Sequence, residues 1–242
     1  MVCLSPSFYA KLNKWVFLLC WTPAIVIMLI IMAINWGNVS FFQASWNPYG
    51  GFGGGSETLA IVSTADAIFT LLVEGAWGVA TGGGMSPVGN PPYYDTLWFQ
   101  IANKLALKRN IEGLIGGGPW VYSEPCTEMV VHELAYMTLP IAIVSDFLIC
   151  ACAAQGAPFD YVTGMEARIV SEITDASLGM SLEDANDWAK TIFEKHLKNK
   201  IPQKGKTFQE CYDLKTLTPS REYIELYEKA KKEYADLGLK VE

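Results

Sequence analysis

Charge is spread so unevenly along this chain that it decides what the first part can fold into. Residues 1–100 carry six charged side chains, Lys11, Lys14, Glu57, Asp66, Glu74 and Asp95, while the other 16 basic and 21 acidic residues all follow. A stretch so poor in charge must be buried in protein or in lipid, because large exposed apolar patches are unfavourable in water. The extreme case is residues 15–34, WVFLLCWTPAIVIMLIIMAI, which contain no charge and follow Lys11 and Lys14. Their length and flanks suit a membrane span, or the basic and apolar regions of a signal peptide. Pro23 would kink such a span, and no A-x-A cleavage site follows. A buried barrel helix or strand is the competing reading.

The second part looks like an ordinary soluble surface. A chain of 242 residues can hold one domain with a sizeable core, or half of a larger one. Net charge −7 and a pI of about 5.0 argue against a nucleic-acid footprint. The six cysteines (3, 20, 126, 150, 152 and 211) form no C-x-x-C pair, and the chain has two histidines, His132 and His196. That inventory gives no Cys/His zinc signature, so no metal is expected, and the thiols read as buried apolar residues in a reducing compartment.

Strand-like and helical stretches alternate. Val39–Ala44 is β-branched and aromatic, and it runs into Trp46-Asn47-Pro48-Tyr49 and five glycines within residues 50–55. Ser56 is expected to cap a helix over Glu57–Glu74 with its apolar stripe at 59, 62, 65, 68, 69 and 72. Val79-Ala80-Thr81 reads as a short strand and residues 82–94 as a loop. Tyr94–Lys108 repeats the helical period through Leu97, Trp98, Ile101 and Leu105. Pro125 is expected to open a long apolar helix broken at Pro140. Glu128 and His132 share a face of it at i, i+4, as an acid–base pair might, or as a helix-end carboxylate beside a structural histidine. Thr163–Leu178 and Ser181–Lys198 are amphipathic, the second with Ala185, Trp188, Ala189, Ile192 and Phe193 as core. Lys195, Lys198, Lys200, Lys204 and Lys206 read as a solvated face. Thr218-Pro219 is expected to start a last helix with Glu225–Lys229 and Glu228–Lys232 pairs, ended by Gly238. Alternation of this kind, with glycines after the strands, suits an α/β barrel.

Three short stretches combine residues that a bare helix or strand does not require. They are Pro125-Cys126-Thr127-Glu128-Met129, Thr163-Gly164-Met165-Glu166-Ala167-Arg168, and Gly205-Lys206-Thr207-Phe208-Gln209-Glu210-Cys211-Tyr212-Asp213. Capping chemistry explains much of them: Thr163 with Glu166 three residues on fits a capping box, and Glu128 suits a first turn. Together with Tyr49-Gly50-Gly51-Phe52-Gly53-Gly54, these stretches, in this order, also resemble the C-terminal half of the monomethylamine:corrinoid methyltransferases. The similarity covers about residues 46–242.

The resemblance implies a TIM-type (β/α) barrel, of which residues 39–242 would supply the C-terminal half, with residues 1–38 unmatched. It implies transfer of the methyl group of monomethylamine to the cobalt of a small corrinoid protein, a step of methanogenesis. The corrinoid is then carried by that partner and no cofactor is bound directly. A cytoplasmic, homo-oligomeric protein is expected. In this family the amine is captured by pyrrolysine, read from an amber codon that would lie upstream of this segment. The apolar run could then be a gene-model start downstream of that codon. The chain alone is expected to be inactive. Residues placed at the pocket by the resemblance are Tyr49, Gly50, Gly51, Phe52, Gly53, Gly118, Trp120 and Cys126, with Glu57 and Glu128 as polar candidates for orienting an ammonium or protonating ammonia. Three family features are replaced: an acidic residue before the glycine turn by Ala44, a Gln by Gly118 and Trp120, and a His-x-Arg by Met85-Ser86-Pro87. A non-catalytic or membrane-anchored relative, held through residues 15–34, is the alternative.

Overall fold

The computed structural model describes residues 42–47, 54–83, 93–149, 151, 153 and 159–241, together with residue 26. The backbone separates into residues 1–40 and 41–242, and the fold below is that of the second unit. Residues 15–34 lie outside the description apart from Val26. Among the described residues no helix is long and apolar enough to cross a membrane.

Strand β1 (Phe42–Asn47), helix α1 (Ser56–Leu72), β2 (Gly78–Gly83), α2 (Tyr93–Asn110), β3 (Leu114–Gly117), α3 (Glu128–Val144) and β4 (Phe147–Leu148) alternate along the chain. The four strands form one parallel sheet in the order β1-β2-β3-β4, with Phe42 opposite Gly78, Gly78 opposite Leu114, and Gly116 opposite Phe147. Strand, crossover helix and neighbouring parallel strand, repeated without a change of direction, is half of a (β/α) barrel. β1 begins three residues later than Val39, and residues 39–41 lie outside the description.

β2 and β3 are glycine-rich, which intrinsic strand propensity disfavours. Packing explains one of these glycines: a Cβ on Gly116 would stand 2.3–2.6 Å from the Phe147 ring of β4. The opposite face of the sheet carries Val79 and Ile115, which close a small core with Ala67 of α1 and Leu107 of α2.

α2 forms where the helical period places it, but its buried face differs from the apolar stripe except at Leu97. Its buried face is Tyr93, Thr96, Leu97, Phe99, Gln100, Asn103, Lys104 and Leu107, mostly polar in its middle. Trp98 is 42 % exposed, and Trp98, Ile101 and Leu105 line, with the edge of Leu97, a groove of about 820 Å³ shared with Tyr136 and Phe193. The sheet and α1 accept the polar face because they offer hydrogen bonds: Thr81 of β2 donates to Asn103 Oδ1 at 2.6 Å, and Asn103 donates to Thr64 of α1 at 2.9 Å. In α1 the buried positions are Leu59, Ser63, Ala67 and Thr70, so only Leu59 of the expected stripe is fully covered. Gly55 holds its N-cap position, and Ser56 is the first helical residue rather than the cap.

α3 begins at Glu128, with Thr127 capping the backbone N–H of Val130 at 3.1 Å, so Pro125 precedes the helix instead of opening it. Pro140 sits inside α3 without ending it. A mid-helix proline costs about 3 kcal/mol, and burial of every residue from Met129 to Ile141 offsets this. Against α3 pack α4 (Gly164–Ala176), α5 (Leu182–Ile192), a π-helical turn (Phe193–Leu197) and α7 (Arg221–Asp236), preceded by a short α6 (Phe208–Cys211). The expected caps at Thr163 and Ser181 are present, as is the Thr163–Glu166 capping box, and Gly238 follows α7 at φ +88°. Trp188 is 6 % exposed within the core stripe of α5.

Thr218–Pro219 is a strand, β6, paired antiparallel with Tyr212–Asp213, β5; Ser220 caps α7. The predicted i, i+4 pairs of α7 are exchanged for others. Glu225 pairs with Arg221, Lys229 with Glu128, and Lys231 with Glu172. Lys195, Lys198 and Lys206 are ion-paired at the surface with Glu233, Glu194 and Glu222.

Candidate functional site

The carboxyl ends of the strands are where a parallel barrel places its site. The segment leaving β3 there, Gly118–Thr127, is the longest such connection described. The connection leaving β1, with Tyr49, Gly50, Gly51, Phe52 and Gly53, lies outside the described residues, as does Met85-Ser86-Pro87 after β2.

Gly118–Thr127 is held in place by a buried carboxylate. Glu133 of α3 is fully buried and accepts from the backbone N–H of Tyr122 at 2.7 Å, the N–H of Ser123 at 2.8 Å, the Ser123 hydroxyl at 2.7 Å, and the Tyr93 hydroxyl. Burial pushes its carboxyl above the usual range, while the four donors pull the other way. Tyr93 stands edge-on to Tyr122 with ring centroids 5.1 Å apart, and Thr96 meets the Tyr122 hydroxyl at 3.1 Å. The turn into α3 is made by Cys126, whose φ of +59° is uncommon outside glycine.

The motif stretches clamp this segment from behind. The Glu124 N–H donates to the Gln203 carbonyl at 3.0 Å, the Gly205 N–H to the Glu124 carboxylate at 2.7 Å, and the Lys206 N–H to the Pro125 carbonyl at 3.0 Å. The approach is so close that a Cβ on Gly205 would lie 2.0 Å from the Pro125 carbonyl oxygen. Cys126 and Cys211 are both buried and free, and burial pushes the Cys211 thiol up to about 12, so both are unreactive fillers at this seam. In the middle motif, buried Glu166 accepts from the Thr163 N–H at 2.6 Å and from the Tyr223 hydroxyl of α7. The three stretches therefore form one scaffold under the loop.

The two polar candidates fare differently from that loop. Glu128 is half-exposed and bonded to Lys229 at 2.7 Å; that hydrogen bond holds its carboxyl below the usual range. Glu57 is exposed in the first turn of α1. His132 does not join Glu128 as an acid–base pair: it is buried and stacked on His196 with ring centroids 3.6 Å apart. Gly118 and Cys126 are buried and Trp120 half-buried along the β3 segment.

Sequence reasoning passed over Glu133 and Lys104 as site residues. Glu133 could have been noticed as a carboxylate set inside the apolar run from Met129 to Val144. Lys104 is fully buried between α2 and the sheet, donating to the Thr81 carbonyl at 2.9 Å and the Thr81 hydroxyl at 3.2 Å. Burial without a counter-charge lowers it to about 7. Thr81 is two residues from Val79 and shares its face, so this amine lies on the helix side of the sheet.

The model of the family "Monomethylamine methyltransferase MtmB" matches residues 25–239. The chain belongs to this family. It is 32 % identical over 214 residues to the monomethylamine methyltransferase MtmB of Methanosarcina mazei, covering 87 % of this chain and 47 % of that protein. To MtmB1 of Methanosarcina barkeri it is 32 % identical over 195 residues, or 79 % of this chain and 42 % of that one. Two crystal structures are similar in fold, the Methanosarcina barkeri MtmB and a hydroxylamine MtmB complex. Each has a TM-score of 0.77 at 30 % identity over 86 % of this chain and 46 % of the other. The chain thus spans just under half the length of the relatives it matches, and its parallel sheet is that half of the MtmB TIM barrel.

Proposed function

We propose that residues 42–241 act as the carboxyl-terminal half of a barrel that moves the methyl group of monomethylamine onto a corrinoid carried by a partner protein. The observation that carries this is the β3 segment Gly118–Cys126, held at the carboxyl end of the sheet by Glu133, in a chain whose fold follows MtmB. Transfer from so small a substrate depends on positioning and on exclusion of water, which fixed pocket walls supply.

The corrinoid supplies the nucleophilic cobalt when its carrier docks. His132 and His196, the two histidines of this chain, are stacked on each other. The residues of this chain bind and orient: Tyr122 and Trp120 form walls, and the Glu133 hydrogen bonds keep those walls from relaxing. Glu57 and Glu128 act on the helix ends they occupy rather than on the amine. A cytoplasmic, homo-oligomeric assembly completes this reading.

A chimera tests it directly. The amino-terminal half of the Methanosarcina mazei relative, with its amine-capturing residue, is joined to residues 42–242 and assayed for methylation of Co(I) corrinoid protein by monomethylamine. Turnover is expected, and Glu128→Gln should retain it. A folded chimera that shows no methyl-cobalt formation overturns the proposal and favours a non-catalytic relative.

A further inference from the structure

Three side chains of metal-ligating type meet where α3, the π-helical turn and α7 pack together. His132 comes from α3, His196 from the π-helical turn and Glu233 from α7, and one donor atom of each lies within 4.8 Å of the others. These residues are 37 to 101 positions apart, so no spacing rule in the sequence points to them. Single π-helical turns are rare and concentrate at functional sites. Here the extra residue brings His196 to Glu233, with Nε2 and Oε1 2.7 Å apart.

We propose that His132, His196 and Glu233 form a binding site for a divalent transition ion of the zinc or cobalt type. Two imidazoles and one carboxylate are the donor set such ions prefer, whereas calcium and magnesium take oxygen-only shells. The surroundings prepare His132 for ligation. The Tyr234 hydroxyl lies 3.0 Å from His132 Nδ1 and 3.3 Å from the Val131 carbonyl. With Nδ1 engaged by Tyr234, Nε2 is the nitrogen left for an ion, the arrangement in which metal-bound histidines are held by a hydrogen bond on the other nitrogen.

One rearrangement is required. The two rings stack with an interplanar angle of 12°, so their lone pairs do not yet meet at one point. Donors around a tetrahedral ion with bonds of about 2.0–2.1 Å lie roughly 3.3 Å apart, against up to 4.8 Å here. His132 is held by Tyr234, so it is His196, with its side chain 17 % exposed, that must turn. Lys195, 57 % exposed and 2.6 Å from Glu233 Oε1, occupies the carboxylate in the meantime and swings out to solvent.

The test uses the full chain, reduced and dialysed free of metal, titrated with CoCl₂ and with ZnCl₂. One equivalent of Co²⁺ should bind with a visible d–d band of tetrahedral intensity and no thiolate charge-transfer absorption, and Zn²⁺ should displace it. His196→Ala should weaken binding by at least about 100-fold, since loss of a second-shell partner alone costs 10–100-fold. Lys195→Ala should bind more tightly than the parent chain. Absence of binding, thiolate absorption marking the cysteines as the ligands, or unchanged affinity in a folded His196→Ala protein each overturns the proposal.

Discussion

Replacing Glu133 by Gln should destabilise the chain far more than so small a chemical change suggests. The carboxylate is surrounded by four donors and no acceptor: two backbone N–H groups of Tyr122 and Ser123, and the hydroxyls of Ser123 and Tyr93. Glutamine keeps one oxygen, able to accept about two of these bonds, and turns an NH₂ toward the remaining donors. Hydrogen bonds to a charged group are worth about 1.5–3 kcal/mol each, and donors left buried without a partner add their own desolvation cost. Removing the buried charge recovers part of this, leaving a net loss of roughly 3–5 kcal/mol, the range seen when one side of a buried charged pair is deleted. In a domain of this size that lowers Tm by roughly 6–20 °C. Thermal and denaturant unfolding of the full chain measure it. A loss under about 1 kcal/mol with an unchanged m-value would falsify the view that Glu133 fixes the β3 segment.

Other consequences follow from packing and charge. Trp188→Ala removes the largest side chain from the α5 core stripe and its edge contact with Tyr234, and should cost about 3–5 kcal/mol; a loss no larger than that of a surface substitution contradicts the placement. Gly205→Ala drives a methyl group against the Pro125 carbonyl, a backbone atom that cannot swing away. It should cost about 1–3 kcal/mol or more, measured by the denaturation midpoint. For Lys104, lowered from its usual 10.5 to about 7, the unfolded chain binds more protons between those values, so stability should rise with pH above 7. The slope is at most about 1.4 kcal/mol per pH unit. Lys104→Met should remove this component, and identical pH profiles for the two proteins between pH 7 and 9.5 would show that Lys104 is not buried as a strained cation.

The sequence was informative wherever one local rule acted alone. The Thr163–Glu166 box, the Ser181 cap, the Trp188 stripe and Gly238 needed only helix periodicity and end chemistry. It misled where tertiary packing overrode local preference. Pro140 continues a helix because burial on all sides offsets the lost hydrogen bond. α2 turns polar residues inward because Thr81 of β2 and Thr64 of α1 receive them, while its apolar stripe lines a groove. Thr218–Pro219 pairs as a strand, with Ser220 taking the cap.

The candidate site was legible as motifs and not as geometry. Pro125–Met129 and Gly205–Asp213 stand out in sequence, yet their contacts run mostly to each other, clamping the β3 loop rather than facing a substrate. Glu133 and the His132–His196–Glu233 group depend on residues brought together from distant segments, which periodicity and spacing cannot report.

Turnover by the chimera tests most directly whether the β3 segment is a pocket wall. Trp120→Ala in that chimera should lower kcat/KM for monomethylamine at least about tenfold, or roughly 1.4 kcal/mol of transition-state stabilisation. Tyr94→Ala, at the rim of the α2 groove, should leave it unchanged. Equal kcat/KM for Trp120→Ala and the parent chimera would contradict the placement of the site at the carboxyl end of β3.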